Sequence, residues 1–288
     1  MGSGAHTSIV ALFVLSCFLC ASVESQAVVE SAKSNLRPTL LLTGDSLTEL
    51  GADPAKMGWV SLSQSDYVRT ADVIVRGISG YNTKWFLKYV MPTIEGEISS
   101  SAYTVPSLIT IFLGTNDAAL VNGSNPEMHV PISEYKENLI KIVSGFQNVA
   151  PEAGILLITP PHVDDGVRIQ YASKRNDMKR GLVDRSNAVT SNYSQACVEI
   201  AGTLGIPVLN LNAHFNAMTE STLLLQDGLH FNANGNKIVH ELLRSKIKTD
   251  FPTLSERLST WQSPAASKWV AEDLGRQVQA RRHESRYC

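Results

Sequence analysis

The sequence has no excess of charge of either sign, no apolar run that spans a bilayer comfortably, and only four cysteines in 288 residues. A formal net charge of −2, with no block of like charges, gives no global basic surface and so excludes nucleic acid or an anionic membrane face as the main partner. Cys17 and Cys20 lie in the first segment, which leaves Cys197 and Cys288 for everything after it. Such a chain does not depend on disulfides. Cys197 falls on an apolar helical face and reads as a small buried hydrophobe, while its pairing with Cys288 stays open because sequence carries no geometry. Two catalytic signatures are also missing. There is no Gly-x-Ser-x-Gly elbow, and there is no His-Glu-x-x-His or matched Cys/His spacing that would hold a metal. His162 with Asp164 and Asp165 therefore reads as a solvated loop, and neither a metal nor another cofactor is expected.

The first segment stands apart. Ile9 to Ala21 is a thirteen-residue apolar stretch, too short for a membrane span, and Val23 and Ser25 suit cleavage before Gln26. The segment reads as a signal peptide over residues 1–25, although no Lys or Arg precedes the apolar stretch. On this reading the mature chain is secreted, keeps no membrane anchor, and offers Asn122-Gly123-Ser124 and Asn192-Tyr193-Ser194 as glycosylation sites.

Five runs are apolar throughout rather than alternating, the pattern of buried parallel strands: Thr39 to Thr43, Asp72 to Arg76, Leu108 to Leu113, Gly154 to Thr159 and Pro207 to Leu211. Helical patterns separate them. One begins at Ser133, read as the N-cap, with Tyr135, Leu139, Ile142, Val143 and Phe146 on one face. Another carries Val189, Tyr193, Cys197, Ile200 and Leu204 and stops at Gly205, and the last runs from about Asn234 to Ile247. Alternating strands and helices imply a three-layer α/β/α sandwich with right-handed crossovers, in one domain over residues 26–252. Residues 253–288 shift to Ser, Ala, Arg and Gln and read as a tail, partly helical or disordered, in which Trp261 and Trp269 are the main apolar features.

Four polar clusters follow these runs. Gly44-Asp45-Ser46-Leu47-Thr48 comes straight after the first strand, where the chain turns into a helix. Ser79-Gly80 follows the second, Gly114-Thr115-Asn116-Asp117 the third, and Asp227-x-x-His230 lies beyond the fifth. Each alone is an ordinary turn. If the strand order is 2-1-3-4-5, however, the switch point lies between the first and third strands, and Ser46 and Asn116 face each other across it. All four clusters then share one rim. Together they supply a nucleophile, a base, an orienting carboxylate and donors for an oxyanion.

At these positions the chain resembles the SGNH (GDSL) hydrolase superfamily, whose blocks match as Gly44-Asp45-Ser46, Ser79-Gly80, Gly114-x-Asn116-Asp117 and Asp227-x-x-His230. Within it, Arg76-Gly77-x-Ser79-Gly80-Tyr81-Asn82-Thr83-x-Trp85, Val130 to Tyr135 and Thr159-Pro160-Pro161 are similar to the isoamyl acetate-hydrolysing esterase branch. Two positions depart from that branch: Glu49 stands where Gln is common, and His162 replaces a third proline. The resemblance implies a flavodoxin-like sheet of five parallel strands in the order 2-1-3-4-5 and a triad of Ser46, His230 and Asp227. It also implies an oxyanion hole built from the Ser46 and Gly80 amides and the Asn116 side chain, with Asp45 and Asp117 as supports behind them. The expected partner is a small-molecule ester of the short-chain, acetate type, and the oligomeric state stays open. Two alternatives accompany this reading: a secreted O-acetyl esterase acting on cell-wall polysaccharide, and a non-catalytic secreted binding protein on the same fold. The intact set of Ser46, Asn116 and His230 argues against the second.

Overall fold

The computed structural model describes residues 37–258 apart from Glu220. The segment read as a signal peptide, Trp261, Trp269 and Cys288 lie outside the described residues. In chain order the main elements are β1 (Thr39–Gly44), α1 (Ser46–Glu49), α2 (Trp59–Tyr67), β2 (Asp72–Gly77), α3 (Met91–Ser99), β3 (Leu108–Phe112), α4 (Ile132–Val149), β4 (Gly154–Ile158), α5 (Asp165–Ser173), α6 (Asn187–Leu204), β5 (Val208–Leu209), α7 (Leu211–Asn216), α8 (Ala233–Asp250) and α9 (Pro252–Arg257). The five strands form one sheet in the order β2-β1-β3-β4-β5, and every pairing is parallel.

Alternation along each strand builds the layers. Leu41, Ile109, Ile111 and Leu157 face one side, where Ile94 of α3, Leu139 and Phe146 of α4 and Tyr193 and Cys197 of α6 close the first core. Leu40, Leu42, Phe112, Leu156 and Ile158 face the other, under Trp59 of α2 and Val239 and Leu243 of α8. This is the expected three-layer sandwich. The apolar runs are explained by it, since strands β1 and β3 are buried from end to end, whereas the edge strand β2 is only half-buried.

Three boundaries differ from the sequence reading. Ser133 is not the N-cap of α4: the helix starts at Ile132, and the Pro131 carbonyl takes the Tyr135 amide at 2.8 Å. The fifth strand is only two residues long, because the Asn210 side chain accepts from the Ala213 amide and turns Leu211 into the first residue of α7. At the C-terminal end α8 continues to Asp250, and Leu254 and Leu258 are buried in the second core, so the packed body runs past Pro252. Gly205 does end α6 in the left-handed region, at φ +63°. Among the described residues no helix is long and apolar enough to cross a membrane.

The register carries the strand ends to one line. Gly44 lies beside both Gly77 and Phe112, and Phe112 beside Ile158. The loops that follow β1, β2 and β3 therefore leave the sheet side by side.

Candidate active site

Asp45 turns the chain from β1 into α1, its Oδ1 accepting from the Leu47 amide at 2.9 Å. This cap places Ser46 as the first residue of α1, 8% exposed at the rim. From behind, the fully buried Trp59 donates its indole N–H to the Leu47 carbonyl at 2.8 Å and pins the short helix.

Between β5 and α8 the chain folds back on itself, with Leu225 bridged to Phe231 and the Gln226 amide donating to the His230 carbonyl at 2.8 Å. Within that loop one oxygen of Asp227, Oδ1, takes the Leu229 and His230 amides at 3.0 and 2.8 Å. The other, Oδ2, lies 2.9 Å from His230 Nδ1. Burial by itself raises the Asp227 carboxyl, but the His230 hydrogen bond and charge, with the two amides, outweigh it and hold the group at about 2. An ionised carboxylate only accepts, so Nδ1 carries a proton and Nε2 is the acceptor of the neutral ring. His230 Nε2 stands 3.0 Å from Ser46 Oγ.

Gly80 follows β2 in the left-handed region, at φ +82°, where a side chain would be strained. Its turn is tied to α1 by Glu49, whose carboxylate accepts from the Ser79 amide. No carbonyl among the described residues takes the Ser46 or Gly80 amide. Asn116, 5% exposed, donates from Nδ2 to the Tyr81 carbonyl at 2.9 Å, and its Oδ1 accepts from Arg185 at 2.7 Å. A guanidinium only donates, so this contact decides which way the amide lies and leaves one amide hydrogen for another acceptor.

Asp117 ties the two loops together. Its carboxylate takes the Thr83 amide at 3.1 Å and the Thr83 hydroxyl, while its carbonyl takes the Val130 amide at 3.1 Å. Burial pushes the Asp117 carboxyl up to about 7 against the lowering effect of Thr83, with the charge of Asp45 adding to the rise. Asp45 is raised to about 6, again mainly by burial, although the Leu47 amide, His230 and Arg185 oppose it.

The remaining sequence-level candidates separate from this rim. His162 Nδ1 lies 2.6 Å from Asn216 Oδ1, and no group of three or more His, Cys, Asp or Glu stands where it could hold a metal among the described residues. Cys197 is buried in the first core. Asn122 and Asn192 are both exposed. His240, which has no companion at catalytic spacing in the sequence, gains two in the fold: Ser63 Oγ at 3.1 Å from Nδ1 and Asp66 Oδ2 at 3.1 Å from Nε2. Arg168, Asp184 and Arg185 were not visible as site residues in the sequence. Arg168 sits within α5, and Asp184 and Arg185 lie between α5 and α6, where no local pattern marks them.

A parallel sheet whose rim holds a serine, an imidazole and a carboxylate in one hydrogen-bonded line is the equipment of a carboxylic ester hydrolase. Residues 42–238 match the GDSL-like Lipase/Acylhydrolase family. A GDSL esterase/lipase of Arabidopsis thaliana is 37% identical over 219 residues, 75% of this chain and 88% of the relative. An isoamyl acetate-hydrolyzing esterase 1 homolog of Homo sapiens is 33% identical over 242 residues, 83% of this chain and 93% of the relative. Among solved structures, a lipase/acylhydrolase from Enterococcus faecalis superposes with a TM-score of 0.54 at 23% identity, covering 73% of this chain and 95% of its own. An acetylxylan esterase from Geobacillus stearothermophilus does so at 0.53 and 19%, covering 74% and 95%. The chain belongs to the GDSL-like lipase/acylhydrolase family, and it is a carboxylic ester hydrolase.

The raised carboxyl of Asp117 has a stability consequence. Between the ordinary value of 3.8 and about 7 the folded protein holds a proton that the unfolded chain has released, so this group's contribution falls as pH rises through that window. Asparagine carries no such proton. The Tm of Asp117→Asn relative to the parent should therefore move in the variant's favour between about pH 5 and about pH 8.5. Thermal melts of both proteins across that range check it; a constant difference would mean that Asp117 does not titrate there.

Proposed function

We propose that the protein is a serine esterase that cleaves short-chain, acetate-type esters. The observation that carries this reading is the unbroken line from Ser46 Oγ to His230 Nε2 at 3.0 Å and from His230 Nδ1 to Asp227 Oδ2 at 2.9 Å. His230 takes the hydroxyl proton as Ser46 attacks the ester carbonyl, and Asp227 steadies the imidazolium that forms. The negative oxygen is held by the Ser46 and Gly80 amides and the free N–H of Asn116. His230 then returns its proton to the departing alcohol. Water, deprotonated by the same imidazole, releases the acyl group. Asp45 and Asp117 hold the loops and do not touch substrate.

Replacing Ser46 or His230 by Ala should lower kcat by roughly 10⁴-fold or more, and the double variant should be little worse than either single one. Asn116→Ala should lower kcat by about 10² to 10³ with a smaller effect on KM. Steady-state kinetics on a p-nitrophenyl ester measure all four, and near-parental turnover by folded Ser46→Ala would sink the mechanism.

Acetate-type specificity is supported by the name of the human relative and by the absence, among the described residues, of a long apolar segment near Ser46 that would shelter a fatty chain. The value of kcat/KM should fall steeply beyond about four acyl carbons, whereas a long groove would gain about 0.8 kcal/mol per buried methylene and reverse the trend. An ester series from acetate to octanoate separates the two. An inert series accompanied by acetate release from acetylated xylan would instead point to the carbohydrate ester.

Extracellular placement is part of the same proposal and rests on the apolar stretch Ile9 to Ala21 and the small residues after it. Amino-terminal sequencing of protein from a secreting host should read from Gln26. An intact Met1 chain retained in the cytosol would remove both the secretion and the glycosylation of Asn122 and Asn192.

A further inference from the structure

Behind the rim, Arg168, Asp184 and Arg185 are buried, and the proposed chemistry makes no use of any of them. A buried guanidinium persists only when it is paired and hydrogen-bonded, so the partners of these two say what they hold. Arg185 donates from Nε to the Thr115 carbonyl at 2.6 Å, from Nη1 to the Asp184 carbonyl at 3.1 Å and from Nη2 to Asn116 Oδ1 at 2.7 Å. Its Nη1 is also 3.6 Å from Asp184 Oδ2. Arg168, on α5, meets Asp184 with a fork, Nε to Oδ1 at 3.0 Å and Nη2 to Oδ1 and Oδ2 at 2.6 and 2.7 Å. Its third nitrogen, Nη1, reaches the Asp227 carbonyl at 3.2 Å and lies 3.6 Å from Asp227 Oδ2. One line of contacts thus runs Asn116, Arg185, Asp184, Arg168, Asp227.

We propose that Arg168 and Arg185, joined through Asp184, are positioning residues that set the two halves of the catalytic centre against each other. This rests on the triad and oxyanion reading above. Arg185 keeps the oxygen of Asn116 turned away, so that the amide presents N–H and not C=O to the oxyanion. Without that donor only the Tyr81 carbonyl holds the amide's orientation, and an amide that flips repels the charge it is meant to hold. Arg168 fixes the Asp227 backbone and sets the field at its carboxylate, with Asp184 neutralising part of that charge. A lysine cannot replace the planar fork of either residue.

The charged groups around His230 define a readout that simple loosening of the fold does not imitate. Asp227 lies on its own loop, Asp45 on the turn after β1 with Asp117 beyond it, Arg168 on α5 with Asp164 at that helix's cap, and Arg185 with Asp184 before α6. Removing the Arg168 cation and removing the Asp184 anion change the charge beside the Asp227–His230 pair in opposite directions. The acid limb of kcat/KM should move up by about half a pH unit or more in Arg168→Gln and down in Asp184→Asn. Arg185→Gln should lower kcat about ten- to a hundred-fold at nearly constant KM and move that limb less than Arg168→Gln does. In an Asn116→Ala background the same substitution should cost little more, because both act at one donor.

The test is a set of pH–rate profiles and a double-mutant cycle between Arg185 and Asn116 on a p-nitrophenyl ester, with Ser46→Ala in parallel. If glutamine at 168 or 185 does not fold, Arg185→Lys and Asp184→Asn carry the same two arms, since one keeps the buried charge and the other keeps an acceptor. Additive losses for Arg185 and Asn116, with acid limbs at the parental position, would overturn the brace while an inactive Ser46→Ala leaves the triad standing. Turnover by Ser46→Ala would remove the triad reading and the brace with it.

Discussion

The whole site depends on how closely the ends of three parallel strands pack. At that line the backbone of α1 lies against the end of β2, and the end of β1 against that of β3, with no room for a side chain between them. A Cβ on Gly77 would stand 2.4 Å from the Glu49 amide nitrogen, and one on Gly44 would stand 2.6 Å from the Phe112 carbonyl oxygen. The two glycines face each other in register, so one tight junction brings the turn carrying Ser46 within reach of the loops carrying Gly80 and Asn116. Nothing in a flavodoxin-like sheet requires this beyond its topology. The first strand lies between the second and third, and the chain leaves all three at the same end.

Close packing of loops has an electrostatic cost, visible in the carboxylates. Asp45 and Asp117 are fully buried, and one oxygen of Asp45 has no hydrogen-bond partner. Both carboxyls are pushed up by burial, yet each still anchors a loop through its hydrogen bonds: Asp45 caps the turn that carries Ser46, and Asp117 clamps Thr83, just after Gly80. Asp227 goes the other way because His230 and two amides give it more than burial removes. Three aspartates near one rim thus have three environments. On the proposed reading only the one kept ionised orients the base, whereas the raised pair serves the loops.

Much of this was legible in sequence, for identifiable reasons. Parallel strands buried on both faces are apolar throughout, so β1, β3 and β4 announce themselves, and the topology then places every cluster at one end. Asp227 and His230 were legible because three positions suffice for one loop to join carboxylate and imidazole. The fifth strand was overextended because Leu211 continues an apolar run that Asn210 has already ended by capping α7. Ser133 suits a cap by residue type, but Pro131, which offers only a carbonyl, occupies that position. The ionic line from Asn116 to Asp227 was invisible for a different reason. Arg185 reaches partners 69 and 70 positions away, and Arg168 one 59 away, so no local pattern distinguishes them from surface charges.

A second serine, histidine and aspartate in this chain show why constellation alone does not define a site. Ser63, His240 and Asp66 match the rim triad in residue type and nearly in distance. Ser63, however, is 1% exposed, and its hydroxyl already donates to the Trp59 carbonyl at 2.8 Å, one turn back in α2. Asp66 is shared with Arg244 at 3.2 Å. Burial also lowers the proton affinity of His240, against the pull of Asp66. The group closes the seam between α2 and α8, two helices on one face of the sheet. Ser46 differs in the one respect that matters for an incoming ester: β1 stops beneath it, α1 begins with it, and its hydroxyl faces the rim where amide hydrogens are left over.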